Sequence, residues 1–257
     1  MPIHFEARGS VAIVIIDRPE VANAIDRPTA TELADAFRRV DGDEALHVAV
    51  LVGAGGTFCA GADLKAMREA GAPRASRLAP DGDGPVGPTR MLLGKPTIAA
   101  VKGHAVAGGL ELAAWCDLRV AAENAVFGVY CRRWGIPLMD GGTIRLARLL
   151  GHSHALDLIL TGRGVSGAEA LRMGLANRIV PPGRALDEAL ALAGEIASRP
   201  QAALRSDRLS SYEQWSQPIP DALLREYEYG MHALRTGELR SGLERYASGR
   251  WHSGDLS

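Results

Sequence analysis

The sequence predicts an α/β domain followed by an all-helical tail. Three observations lead there. Short β-branched runs, VAIVIID at Val11–Asp17, HVAVLV at His47–Val52 and PTIAAV at Pro96–Val101, read as buried strands. Apolar residues at helical spacing lie between them, as in Thr29–Val40, where Leu33, Ala36, Phe37 and Val40 share one face. Beyond Pro181-Pro182 the pattern is helical to the end. A chain of 257 residues suits one large α/β domain with a smaller appendage, and we place the core at 1–196 and the helical region at 197–257. No fixed-period repeat is present.

The elements follow in order. Val11–Asp17 closes on the turn Arg18-Pro19, and His47–Val52 closes on Gly53-Ala54-Gly55-Gly56. A helix starts at Ala62–Ala70. Gly71–Pro88 (GAPRASRLAPDGDGPVGP) is rich in Gly, Pro and Asp, which predicts a mobile surface loop over or beside a site. Gly108-Gly109 opens a helix through Cys116, Leu118–Ala121 is a short strand, and Asp140-Gly141-Gly142 precedes a helix at Thr143–Leu150. His154–Leu160 and Val165–Met173 read as helices and Asn177–Val180 as a strand. Arg184–Ser198, Gln201–Ser210, Pro220–Leu234 and Glu238–Arg250 read as four helices, with Tyr227-Glu228-Tyr229 in the packing. Such a tail packs on its own core or on a neighbouring subunit.

Composition narrows the function classes. Apolar residues make up 47% and charged residues 23%, so a core of normal size needs no staples. The net charge of −1 gives no global basic field for nucleic acid or anionic lipid. Cys59, Cys116 and Cys131 are odd in number and form no C-x-x-C pair, which argues against a disulfide framework or a zinc site and suits a reducing cytoplasm. Met1–Gly9 lacks the apolar stretch of a signal peptide. The most apolar stretch, Pro96–Phe127, is interrupted by Lys102, His104, Glu111, Asp117, Arg119 and Glu123, which excludes a bilayer span.

Two segments carry candidate chemistry. In Phe58-Cys59-Ala60-Gly61-Ala62-Asp63-Leu64-Lys65, small residues let a substrate approach the backbone, and a helix start leaves N–H groups unpaired. A plain Gly-rich turn reads the same way. His104-Ala105-Val106-Ala107-Gly108-Gly109-Leu110-Glu111 repeats the pattern of strand, small-residue turn and helix N-terminus, which suits an anion. No phosphate-loop or dinucleotide fingerprint is present. Two such turns suggest two N–H donors converging on one oxygen.

FCAGADLKAM, KPTIAAVKGHAVAGGLELAAWCDLRVAAENAVFG and DGGTIRLARLLG together resemble the enoyl-CoA hydratase/isomerase (crotonase) family, over nearly the whole chain from IIDRPEVANAID onward. The resemblance implies a crotonase-like spiral of ββα units with a helical C-terminal trimerisation region, forming homotrimers or dimers of trimers. It implies an acyl-CoA substrate, with coenzyme A as part of that substrate and no separate cofactor or metal. It places the oxyanion donors at Ala62 and Gly108, and the acyl-CoA contacts at Val21, Ala22, Ala60, Ala62, Asp63, Leu64, Lys65 and Gly108. Glu20 stands where relatives often carry a basic residue. The fold hosts several reactions, so the resemblance does not name one.

Glu111 matches the family's first catalytic glutamate; a carboxylate complementing a helix N-terminus is the plainer reading. Burial near an apolar acyl group would raise its pKa toward neutrality. The second glutamate of hydratases falls at Cys131, in FGVYCRRWGIPLMDGG, where a small buried thiol is the simplest account. Asp140 takes the place of a catalytic aspartate of dienoyl-CoA isomerases; an N-cap for the helix starting at Gly141 is the alternative, and both can hold. His152 and His154 are two apart and share no helix face for a metal. His104 is expected on the cleft wall, and Arg132 and Arg133 in solvent or at a subunit face. The leading expectation is a hydratase-like lyase using Glu111 and Asp140. The rivals are a double-bond isomerase and a non-catalytic acyl-CoA-binding protein.

Overall fold

The computed structural model describes residues 1–68 and 75–248. The chain forms two compact units, Met1–Ala197 and Ser198–Ser257. In the first, the elements are β1 (Ile3–Arg8), β2 (Val11–Ile16), α1 (Arg27–Gly42), β3 (Val48–Gly53), α2 (Leu64–Arg68), β4 (Thr97–Val101), β5 (His104–Val106), α3 (Gly108–Trp115), β6 (Leu118–Ala122), β7 (Val126–Gly128), α4 (Gly142–Leu150), α5 (His152–Thr161), β8 (Gly164–Ser166), α6 (Gly167–Arg172), β9 (Arg178–Val180) and α7 (Ala185–Ala197). A 3-10 turn at Tyr130–Trp134 precedes α4.

The predicted runs form the centre of a six-stranded sheet ordered β1-β2-β3-β4-β6-β9. All its pairs are parallel except β1 with β2. Parallel strands covered on both faces read as unbroken apolar runs rather than as alternation. One face, with Ala49, Leu51, Ala99 and Val101, joins the cluster holding Leu33 and Phe37 of α1. The other, with Val48, Val50, Val52, Ile98 and Val120, packs on Ala189, Leu192 and Ala193 of α7.

A second sheet, β5-β7-β8, runs beside it. From β4 to β7 the strands alternate between the two sheets: β4 and then β5 lead into α3, and β6 is followed by β7. This is the spiral of ββα units the resemblance implied. It also carries the strand ends and small-residue turns of both sheets toward one place.

Several elements differ from expectation. The N-terminal residues form β1, an edge strand whose burial alternates too weakly to stand out. Val165–Met173 divides into β8 and α6, because Ser166 takes an extended conformation and its hydroxyl caps Glu169 N–H at 3.2 Å. Residues 71–74 of the expected mobile loop lie outside the described residues. Its last part, Gly84–Pro88, is buried rather than superficial. Gly84 and Gly87 exchange two N–H···O bonds of 2.9 Å that close it into a tight turn.

The second unit contains α8 (Gln201–Glu213), α9 (Ile219–Leu234) and α10 (Glu238–Ala247). Ser206 Oγ donates to Tyr229 O at 2.7 Å, and Tyr229 Oη donates to Glu213 Oε1 at 2.7 Å, pinning α8 to α9. Tyr229 is therefore the packing residue of the Tyr227-Glu228-Tyr229 run. Tyr227 is exposed, and Glu228 pairs with Arg225. Of the predicted Glu238–Arg250 helix, residues 249 and 250 lie outside the described part.

Candidate active site

The turn at Gly61 and the turn at Gly108 meet. Ala62 forms a parallel bridge with Ile25, made through Gly61 O (2.7 Å) and Asp63 N–H (2.9 Å). That bonding uses the neighbours of Ala62 and leaves its own N–H pointing the other way. Gly108 begins α3, where the first N–H groups have no intrahelical acceptor. A Cβ on Gly61 would lie 2.7 Å from Gly108 N, and one on Gly108 would lie 2.8 Å from Val86 Cγ1 and 3.6 Å from Ala62 N. Only glycines allow this approach. Ala107, which starts the helix, has φ +54°, a conformation that costs a non-glycine residue about 1–3 kcal/mol and is typical of functional turns. Ala62 and Gly108 border one cleft of about 220 Å³.

Glu111 lies one turn into α3, 3% exposed, and borders the same cleft. Its Oε1 accepts from Asp140 N–H and Gly142 N–H, both at 2.8 Å. Burial pushes its carboxyl up to about 7, and the neighbouring Asp140 adds to the rise; the Gly142 and Asp140 N–H bonds oppose it.

Asp140 is 4% exposed and also borders the cleft. Its Oδ1 accepts from Val86 N–H at 3.1 Å and from the Thr89 hydroxyl. Burial raises its pKa, and the Thr89 and Val86 bonds pull the other way. The N-cap of α4 is Gly141, with no side-chain cap, so the capping reading of Asp140 is overturned: its carboxylate turns inward to the Gly84–Thr89 turn instead. Among the described residues neither Glu111 Oε2 nor Asp140 Oδ2 has a hydrogen-bond partner, so each carboxylate is held by one oxygen and presents the other.

Cys131 borders the cleft within the 3-10 turn. Burial, and then Glu111, hold its thiol above the ordinary value. Cys59 and Cys116 are buried free thiols pushed up to about 12, which makes them packing groups rather than nucleophiles. Most of the remaining lining is apolar, including Leu64, Met67, Trp134, Ile136 and Met139, with Ser76 and Tyr130 as polar exceptions.

With this geometry in view, similarity to known proteins becomes informative. The family pattern described as Enoyl-CoA hydratase/isomerase matches residues 6–252. The chain belongs to the enoyl-CoA hydratase/isomerase family. It is 36% identical to the enoyl-CoA hydratase EchA19 of Mycobacterium tuberculosis, covering 95% of this chain and 93% of that one. It is 38% identical to a carnitinyl-CoA dehydratase of Proteus mirabilis, with 98% and 91% covered. The crystal structure of enoyl-CoA hydratase EchA1 from Mycobacterium marinum superposes with a TM-score of 0.90 at 33% identity, over 96% of each chain. The fold is the one those family members share.

Of the residues singled out in the sequence, Ala60, Ala62, Leu64, Gly108, Glu111 and Asp140 gather at this cleft of the hydratase/isomerase chain. Val21, Ala22, Asp63 and Lys65 do not border it. Ala22 O accepts Ala60 N–H at 3.1 Å, so its loop supports the cleft from behind. Asp63 is buried in an ion pair with Arg18 at 3.0 Å and caps α2 through Lys65 and Ala66 N–H. His104 is exposed, 6.5 Å from the Tyr130 ring, and does not line the wall as expected. Arg132 is exposed and donates to Ile159 O at 3.0 Å, while Arg133 stacks over Tyr130. Among the described residues no group of three or more His, Cys, Asp or Glu is arranged to hold a metal ion, and no helix is long and apolar enough to cross a membrane.

Val86, Thr89 and Arg145 were missed. The first two sit at the end of a segment whose composition signals a loop, and only the apolar PVGP within that polar stretch hints at burial. Arg145 Nη1 donates to Asp140 O at 2.8 Å and Nη2 to Thr89 O at 2.6 Å, a tie that no local pattern announces.

Proposed function

We propose that this protein is an enoyl-CoA hydratase-like lyase, adding water to, or removing it from, the double bond of an acyl-CoA thioester. The observation that carries the reading is the meeting of the Gly61 and Gly108 turns beside two buried carboxylates in one apolar cleft. The N–H groups of Ala62 and Gly108 hold the thioester oxygen, and their hold tightens as the enolate forms. Each is worth about 3–4 kcal/mol by analogy with deletions of oxyanion donors.

Glu111 and Asp140 lie close enough that the Asp140 charge adds to the rise in the Glu111 pKa. Holding one proton between them, one carboxylate takes the proton of the water that attacks Cβ, and the other carboxyl gives its proton to Cα. The sum is addition of one water. Dehydration runs the same steps backward. The chemistry needs no metal, flavin or nicotinamide, and coenzyme A arrives as part of the substrate. Ala60, Ala62, Leu64 and Gly108 contact the acyl-CoA at the cleft, and Val21 and Ala22 belong to the loop toward its coenzyme portion. Asp63 and Lys65, at the start of α2, continue the acyl-CoA-binding stretch, which the Asp63–Arg18 ion pair holds in place.

Ile219, Leu223, Leu224, Leu239 and Leu243 are exposed in the second unit, which supports assembly into a homotrimer or a dimer of trimers. Three free cysteines support a cytoplasmic location and a role in fatty acid metabolism goes with the substrate. Incubation with a panel of trans-2-enoyl-CoA thioesters of short, medium and ring-bearing acyl groups, read by mass spectrometry for a gain of water, tests the reaction. No hydration of any member would overturn it.

A double-bond isomerase is the second reading, favoured by Cys131. A neutral thiol beside Glu111 is poorly suited to hold and deprotonate water, whereas moving a proton between two carbons needs only the carboxylates. Conversion of a 3-enoyl-CoA without 3-hydroxyacyl product would decide for it.

A further inference from the structure

We propose that Thr89 is a positioning residue for this chemistry: with the buried Gly84–Thr89 turn it fixes the Asp140 carboxylate by Oδ1 and leaves Oδ2 to the substrate. The inference rests on the reading that Asp140 carries a proton in the reaction.

Val86 and Thr89 are each 1% exposed, at the end of a stretch whose composition promised only surface. The paired bonds between Gly84 and Gly87 make a rigid turn with Val86 near its tip. From it, Val86 N–H and the Thr89 hydroxyl both donate to Asp140 Oδ1. Gly84 lies so close that a Cβ there would run into Thr89 Oγ1 and Asp140 Oδ1. Arg145 closes the arrangement by binding the carbonyl oxygens of Asp140 and Thr89. The Val86 side chain meanwhile abuts Gly108. One turn therefore links the second carboxylate to an oxyanion donor.

A hydroxyl donating to a carboxylate stabilises its charged form, against a burial that favours the neutral one. The charged and titratable groups around Asp140 are Glu111 on α3, Cys59 before the Gly61 turn, Arg90 next to Thr89, and Arg145 on α4. Of the groups lowering the Asp140 pKa, the Thr89 bond is the largest.

The test uses the full chain and whichever 2-enoyl- or 3-enoyl-CoA it turns over. kcat and KM are measured against pH for Thr89→Val, Thr89→Ser and Asp140→Asn, with thermal melting as the folding control. Thr89→Val is expected to lower kcat about tenfold near neutrality with KM little changed, and to move the limb set by Asp140 up by about one pH unit. Thr89→Ser restores both. Should Thr89→Val melt early, Thr89→Ala removes the donor without adding a methyl and gives the same shift. If Thr89→Val and Thr89→Ala keep the parent pH profile while Asp140→Asn loses that limb, the positioning role is overturned. If Asp140→Asn itself keeps the parent profile, the proton role of Asp140 is overturned and the Thr89 proposal with it.

Discussion

The main-chain N–H of Asp140 donates to Glu111 Oε1 at 2.8 Å, so the residue that supplies one carboxylate also orients the other. The Gly142 N–H completes the cradle at the same distance. A Cβ on Gly142 would lie 2.9 Å from both Glu111 Cγ and Oε1, which explains the small residue there. The Asp140–Gly142 turn thus holds the Glu111 carboxylate in place.

Removing either carboxylate while keeping its shape tests the pair. Glu111→Gln and Asp140→Asn still offer an oxygen to their N–H donors. Each is expected to lower kcat by roughly 10²- to 10⁴-fold. The double variant is expected to fall little further than the worse single one, because groups acting as a unit are not additive. Steady-state kinetics on the preferred enoyl-CoA checks this.

The raised Glu111 pKa has a consequence for stability. The carboxyl moves from 4.5 to about 7 on folding, so the folded state binds the proton more tightly. That contribution is fully present below about 4.5 and is lost as pH rises through about 7. Glu111→Gln has no such loss. Its stability relative to the parent is expected to grow between pH 5 and 8 by up to about 3 kcal/mol, since one unit corresponds to about 1.4 kcal/mol. Urea unfolding at several pH values reads the difference, and a constant gap would contradict it.

Much of this was legible in the sequence, and the boundary has physical causes. Buried parallel strands write themselves as VAIVIID, HVAVLV and PTIAAV, and glycine at Gly61 and Gly108 marks backbone approach. Glu111 and Asp140 stand out through the motifs that resemble the family, and their meeting is made by the fold, through Asp140 N–H and Glu111 Oε1. What failed to show were features set by tertiary contact. The β1 edge strand lacks strong alternation, and Gly84–Thr89 is written as a loop although Asp140 holds it inside. Arg119 sits on an interior strand only 1% exposed, because Leu175 O and Asn177 Oδ1 from distant positions, together with the nearby Cys116 O, satisfy it.

The contact between the two turns predicts a selective loss. Gly61 has φ +93°, and its missing Cβ would sit against Gly108 N and 2.9 Å from Ala107 Cβ. Gly61→Ala would push Gly108 and Ala62 apart and misplace both N–H groups. A fall in kcat of roughly 10²- to 10³-fold is expected, the size seen on removing an oxyanion donor. Binding of a ground-state acyl-CoA should change far less, and calorimetric titration separates the two.

Cys131 gives the sharpest discrimination between hydration and isomerisation. It is 6% exposed and close enough to Glu111 to feel its charge. If the thiol only fills space, Cys131→Ala keeps either activity within a few-fold. Cys131→Glu adds a third carboxylate beside Glu111, and a like charge disfavours ionisation. The alkaline limb of the pH profile set by Glu111 is therefore expected to rise by about one unit. The added carboxylate also supplies a second site to hold water, so the ratio of 3-hydroxyacyl to double-bond-shifted product should increase. Mass spectrometry of both products across pH 5–9 measures limb and ratio in one series. A collapse of activity in Cys131→Ala would instead show the thiol taking part in the reaction.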